Sequence, residues 1–281
     1  MSNIHIVLDS TTNVPEAMLA AHPNLHIVPL KVIVGDDQWN DLELSNSELF
    51  RIAKEKGVHP RTSQPAPGDF VRAFSQADEG HAIIMISVSG GLSGTVNGAR
   101  AAAKEFKGRE IYVIDSSTAS IGVLRMAEAA LRMVADGLPA AGIAERLQLM
   151  ADATHTLLIP DSLEYLHKGG RIGGAAALFG SILQIKPILT LIEGKVQVFD
   201  KVRTRPRAVA RMLEELDKHG ELEYIGVAHG EAPEAAQEIY NTVSQRYPGV
   251  PVSLSTISPV ISAHLGPGVI GVIFQSKLIP R

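Results

Sequence analysis

The sequence predicts an α/β protein built in two parts: a first half with a mainly parallel sheet and helices on its faces, and an α+β second half with a mixed sheet. Three observations carry this. Short β-rich runs alternate with amphipathic or alanine-rich helical stretches over the first 150 residues, the pattern of strands laid parallel under crossover helices. The rhythm then changes after about residue 152. Beyond it, PILTLIEGKVQVFDKVRT carries two apolar runs about Glu193-Gly194-Lys195, the signature of a hairpin. The expected domains are 1–152 and 153–281.

Each element follows from local signals. IHIVLDS (4–10) is a strand, and Pro15 sits where the next helix begins. LHIVPLKVIV (25–34) reads as one extended run. Ser45-Asn46-Ser47-Glu48 is a capping box for a helix through about Lys56. HAIIMISVS (81–89) and REIYVIDS (109–116) are strands, each followed by a long helical pattern. TLLIPDS, YIGVAHG and VIGVIFQS supply strands of the second half. HPRTSQPAPGD (59–69) reads as a loop stiffened by three prolines, which lowers the entropy cost of holding its hydroxyls in place.

Composition excludes several classes. The 281 residues are 45% hydrophobic and 20% charged, as in globular proteins. A net charge of -4 gives no basic field for nucleic acid or an anionic membrane. The absence of cysteine removes disulfides, thiolate catalysis and cysteine-ligated zinc. The ten histidines include no His-Glu-x-x-His, so no metal is expected. MSNIHIVLDS lacks the basic and apolar regions of a signal peptide, and no apolar run approaches the roughly 20 residues of a membrane span. The expectation is a cytoplasmic protein.

The chemistry-bearing stretch is ISVSGGLSGT (86–95), a strand that breaks into glycines and restarts as a helix. Gly91-Leu92-Ser93-Gly94-Thr95 has no lysine for a nucleotide-binding P-loop and lacks the Gly-x-Ser-x-Gly of a hydrolase elbow. Free amides at a helix start still favour an anion, and Ser93 and Thr95 add hydroxyls. Asp9-Ser10-Thr11-Thr12, Thr62-Ser63 and Asp115-Ser116-Ser117-Thr118 are polar clusters of the same style. In a parallel sheet, strand ends share one edge where ligands bind, though each cluster also fits a helix cap. LHKGGRIGG (166–174) and KVRTRPR (201–207) place Lys168, Arg171, Lys201 and Arg203 at breaks between elements, as carboxylate or phosphate forks or as solvated charge.

Taken in order, IVLDSTTNVP, PLKVIVGD, RTSQPAPGDF, SVSGGLSGT, YVIDSSTAS, YLHKGGRIGG, KVRTRPRA and SAHLGPGVIG resemble the DegV family of bacterial fatty-acid-binding proteins, which includes the FakB subunits of fatty acid kinase. The resemblance implies a two-domain DegV-like fold whose first domain is a three-layer α/β/α sandwich. It implies a long-chain fatty acid such as palmitate or oleate between the domains, with no other cofactor. Its carboxylate would meet Thr62, Ser63, Ser93 with the Gly94 amide, and His264, the last as an imidazole or an imidazolium. Arg171, Lys201 and Arg203 would face a separate ATP-dependent kinase that makes an acyl phosphate, leaving this chain a carrier without catalysis. The acyl-tunnel candidates are Ala175, Ala176, Phe179, Ile182 and Leu183, a stripe that also fits ordinary core. Transient membrane contact is compatible with this role. One departure stands out: Gly90 replaces the second of two serines common in the family, removing one hydroxyl donor. The alternatives are a serine esterase using Ser93 and His264, and a substrate-binding subunit of the dihydroxyacetone-kinase kind.

Overall fold

The computed structural model describes residues 3–180 and 185–278. The first half runs β1 (Ile4–Asp9), α1 (Glu16–Ala21), β2 (Leu25–Val28), β3 (Lys31–Val34), β4 (Asp37–Asn40), α2 (Asn46–Lys56), β5 (Arg61–Ser63), α3 (Pro67–Phe74), β6 (Ala82–Ser87), α4 (Thr95–Ala103), β7 (Ile111–Asp115), α5 (Ile121–Ala135) and α6 (Ala140–Asp152). The parallel sheet has the order β2-β1-β6-β7. All six residues of β6, AIIMIS, are buried, as an apolar run covered on both faces requires. Ile84 and Ile86 face Met126, Ala130, Ile143 and Leu147 of α5 and α6. Ile83 and Met85 face the opposite way, onto Phe70, Phe74 and Ala99 of α3 and α4. The result is a three-layer α/β/α arrangement.

The run 25–34 divides where the sequence suggested one element. Pro29 lacks an amide proton for a ladder and interrupts it. β2 pairs with β1, while β3 joins a small antiparallel sheet of order β4-β3-β5. The proline-bearing segment 59–69 supplies β5 and the start of α3, where the sequence suggested a plain loop. The capping box is present: Glu48 N donates to Ser45 Oγ at 3.2 Å and Ser45 N to Glu48 Oε2 at 2.9 Å.

The second half runs β8 (Thr154–Ile159), α7 (Glu164–Lys168), a 3-10 turn (Gly173–Leu178), β9 (Lys186–Ile192), β10 (Lys195–Val202), α8 (Arg205–Leu216), β11 (Leu222–Gly230), α9 (Pro233–Arg246), β12 (Val252–Thr256), α10 (Pro259–Leu265) and β13 (Val269–Ser276). Its mixed sheet has the order β10-β9-β8-β13-β11-β12. β9 and β10 form the expected hairpin, closed at Glu193-Gly194 with Ile192 opposite Lys195. α8 and α9 cover one face of this sheet through Met212, Leu216, Ala236 and Ile239. Among the described residues the other face is covered by short pieces: Leu166 of α7, Ala175 of the 3-10 turn, Ile261 and Leu265 of α10, and Ile121 from the start of α5. No helix among the described residues is long and apolar enough to cross a membrane.

Met126 is fully buried where α5 packs on the parallel sheet. Met126→Ala is expected to cost about 2–5 kcal/mol, the transfer term plus the cavity left behind. A urea titration would register this as a lower midpoint at unchanged slope.

Candidate functional site

The site is assembled from three breaks in regular structure. The first is the turn after β6. Asp9, fully buried at the end of β1, accepts from Val88 N at 2.6 Å, Ser87 Oγ at 3.0 Å and Thr11 N at 3.1 Å. Those bonds steer the chain out of the sheet. Asp115, at the end of β7, accepts from Gly90 N at 3.1 Å. A Cβ at Gly90 would lie 2.7 Å from Asp115 Oδ2, so the glycine is what lets the amide reach the carboxylate. The strand-end carboxylates are thus occupied in shaping the turn. Ser93 lies just before α4, its Oγ 2.8 Å from Thr95 Oγ1 and accepting a long 3.4 Å bond from Thr95 N.

The second break is β5 and the residues after it, which bring Thr62 and Gln64 to the same place. The third is α10, whose last turn carries His264. Thr62 Oγ1 and His264 Nε2 are 2.7 Å apart, joining residues 202 positions apart in sequence. α7 ends against this ring: a Cβ at Gly169 would lie 2.3 Å from His264 Nδ1. Nδ1 is buried and has no hydrogen-bond partner among the described residues. Burial pushes the imidazole pKa down to about 4, and the positive charge of Arg171 and the nearby His59 push it the same way. His264 is therefore neutral at pH 7 in this structure; the imidazolium considered from the sequence concerned the ring beside a bound carboxylate.

Thr62, Ser93, Gly94 and His264 line one cavity of about 1100 Å³ counted to its open mouth. The rest of the wall is mostly apolar. Leu30 and Val88 come from the first half, and Leu158, Val196, Ile261 and Ile273 from the second. The cavity occupies the thinly covered face of the mixed sheet. A second, open pocket of about 940 Å³ on the same count adjoins it, sharing Leu92, Ser93, Gly94, Arg171 and Val196 and adding Gly90, Gly91 and Lys195. Gly90 lines this outer pocket rather than the apolar cavity, and a side chain at that position would start against Asp115.

Several expected residues lie elsewhere. Ser63 does not line the cavity; it follows Thr62 on β5, and consecutive strand residues point to opposite faces. Ala175 is buried in the packing beneath the mixed sheet, while Ala176 and Phe179 are exposed, Phe179 stacking on His167 at 3.9 Å between ring centroids. None of the three lines the cavity. Ile182 and Leu183 lie outside the described residues. Lys201 and Arg203 are exposed and line neither pocket. Arg171, expected on a partner surface, is exposed and borders both pockets, its guanidinium donating to Leu92 O and Gly169 O at 3.2 and 2.7 Å.

Sequence reasoning missed Gln64, Thr11 and Thr156 as wall residues. Thr11 belongs to the Asp9–Thr12 cluster and Gln64 to the proline-bearing segment 59–69 already singled out. Thr156 gives no signal in sequence, since its hydroxyl is satisfied by Thr118 across the interface at 2.8 Å. The esterase geometry is not formed: the partner of His264 Nε2 is Thr62, and Ser93 Oγ pairs with Thr95. Among the described residues no group of three or more His, Asp or Glu side chains is arranged to hold a metal ion.

Residues 3–277 match the model of the DegV family of uncharacterised proteins. A DegV domain-containing protein of Listeria innocua is 34% identical over 280 residues, covering 98% of this chain and 99% of the relative. Protein DegV of Bacillus subtilis is 31% identical over 281 residues, covering 98% and 100%. A solved DegV family protein from Thermus thermophilus, described as fatty acid binding, superposes with a TM-score of 0.90 at 32% identity, covering 99% of this chain and all of that one. The crystal structure of DegV from Bacillus subtilis, described as a fatty acid binding protein, gives 0.88 at 30% identity with the same coverage.

The state of His264 is directly measurable. Proton NMR of the unliganded protein should show its ring titrating with a midpoint of about 4. A midpoint near 6.5 would mean that the ring is hydrated. Because the folded value lies below the unfolded one, an unfolded chain takes up this proton first. The contribution of His264 to stability is therefore lost as the pH falls from about 6.5 toward 4.

Proposed function

This chain belongs to the DegV family, and from that premise we propose that it binds one long-chain fatty acid, with the acyl chain in the apolar cavity and the carboxylate at Thr62, Ser93, the Gly94 amide and His264. The observation that carries the reading is an apolar cavity with a hydrogen-bonded threonine–histidine pair in its wall. Relatives at 32% and 30% identity that are described as fatty acid binding support it. In this reading residues 1–152 and 153–281 are two domains with the ligand between them.

The energetics agree. Burial of about fifteen methylenes gives on the order of 12 kcal/mol gross, at ~0.8 kcal/mol each. Association and chain ordering offset a large share of it. A buried carboxylate costs several kcal/mol unless donors meet it. Thr62 meets it only if its own proton is free to point into the cavity. That requires the His264 tautomer protonated on Nε2, which donates to Thr62 Oγ1 and leaves the threonine hydroxyl to donate to the anion. Ser93 acts alike when Thr95 donates to it, and α4 adds the positive end of its dipole. Arg171 supplies the nearest positive charge at the border of the two pockets.

The protein then serves as a carrier. It holds the fatty acid and presents the carboxylate, through the outer pocket beside Ser93, to a separate ATP-dependent kinase in the cytoplasm. Lys195 at that pocket, with exposed Lys201 and Arg203, gives the approaching phosphate-bearing partner a positively charged face.

Native mass spectrometry of gently purified protein should show an adduct of fatty-acid mass. Apo protein that also ignores added oleate and palmitate would sink the reading. Thr62→Val removes a donor of nearly equal volume and should weaken oleate binding about tenfold or more. That follows from about 1.5–3 kcal/mol for a hydrogen bond to a charged group. Isothermal titration with wild type as reference measures it.

A further inference from the structure

Three side chains from the first half of the molecule stitch the segment 256–260 in place. Asn13 Nδ2 donates to Thr256 O at 2.8 Å, and Asn46 Nδ2 donates to Ile257 O at 2.9 Å. The third is Asp41, whose Oδ1 accepts from Val260 N at 3.0 Å. Its other oxygen accepts from Ser10 Oγ at 2.9 Å, and Ser10 Oγ accepts in turn from Leu30 N at 3.0 Å. Asp41 thus ties the end of β1, the approach to β3 and the first turn of α10 into one knot. Leu30 and Val260, both held by it, line the apolar cavity, as does His264 further along α10. Of the three stitches, only Asp41 is titratable, and it is 5% exposed.

We propose that Asp41 is the positioning residue that controls how firmly the α10 wall closes over a bound ligand, its neutral form holding the wall shut and its ionised form promoting opening and ligand exchange. This rests on reading the cavity as a fatty-acid site. The closed knot denies the carboxylate water, whereas parting α10 from the small sheet hydrates it. Burial is the main reason its pKa is pushed up to about 6; hydrogen bonds from Val260 N, Ser10 and Ser258 pull the other way, and the charge of Asp9 adds to the rise.

The surrounding charged groups give Asp41 no counter-ion among the described residues. Asp9, on β1, is itself pushed up by its burial. Lys31 on β3 and Glu43 after β4 both bind Asn40. On α2, Glu48 is held in the capping box and Arg51 pairs with Glu55. On α10, His264 is neutral at pH 7. The closed state therefore binds a proton at Asp41 more tightly than the open state, where the group returns toward an ordinary carboxylate. Acid favours closure, and ionisation favours opening. With closed and open values about two units apart, the opening equilibrium falls on the order of tenfold between pH 7 and pH 5.

The test follows transfer of a fluorescent long-chain fatty acid from the loaded full-length protein to phosphatidylcholine vesicles between pH 5 and 8. Wild type should release about tenfold more slowly at pH 5 than at pH 7. Asp41→Asn keeps the acceptor for Val260 N and should release slowly at every pH, relative to the same vesicles and ligand. A pH profile in Asp41→Asn that matches wild type, or faster wild-type release at pH 5, overturns the proposal. Hydrogen exchange of the Val260–Leu265 amides in wild type, corrected for intrinsic rates, covers the case in which the variant does not fold. Greater protection at pH 5 than at pH 7 supports the role of Asp41, and equal or lower protection overturns it. If no fatty acid binds at all, the functional reading fails, while the exchange measurement still decides whether Asp41 governs α10.

Discussion

The site depends on the docking of α10, a seven-residue helix, against the three-stranded sheet. A helix this short has no stability of its own. Pro259 opens it with its backbone preset, and Ser258 caps it by accepting from Ile261 N. Val260 and Ala263 are buried against Leu30, Val32 and Leu49. Packing fixes which side of the helix faces the sheet, and Asp41 fixes its first turn. With those settled, His264 has one place to go, and Thr62 on β5 is there. Neither residue can be positioned by its own local sequence; the pair exists only because two halves of the chain share this contact.

The cavity has an equally simple origin. A mixed sheet with one face under α8 and α9 needs cover on the other. α7 spans five residues, and the turn after it runs only from Gly173 to Leu178. Such pieces seal part of the face through Leu166 and Ala175 but leave Leu158 and Ile273 bordering open space. The first half closes that space by bringing up Leu30, Val88 and the start of α5. An apolar chamber therefore forms where the two sheets meet, with Thr156 of β8 in its wall and most other polar groups entering from the chain breaks around its rim.

Much of this architecture is legible in the sequence, and the unread part has physical causes. The fully apolar β6 and the Ser45–Glu48 capping box are strong local signals, and both appear where expected. β3 and β5 are not legible, because Val32 pairs with Thr62 across 30 positions and no local pattern records a long-range pairing. Thr62 and Ser63 look interchangeable in sequence; the strand parity that separates them is set only once β5 docks on β3. The stripe from Ala175 onward reads as a tunnel wall by composition. In the structure its small residues instead let the turn lie close on β10, leaving Ala176 and Phe179 outward. Apolar character alone does not say which side of an element meets a ligand.

The chemistry of the pair also bears on what kind of site this is. A catalytic histidine needs a pKa near the working pH and a third group to orient it. His264 has neither: burial holds it neutral, and its Nδ1 has no partner among the described residues. Its Nε2 meets a threonine hydroxyl, whose role in such a contact is to pass a hydrogen bond onward. A neutral donor chain of this kind stabilises a carboxylate without drawing a proton from it. It also leaves the anion's charge uncompensated on the side of the outer pocket, where Arg171 and Lys195 stand. Under the proposed function, an acid seated there would be retained by its apolar tail, leaving its head group for another protein to modify.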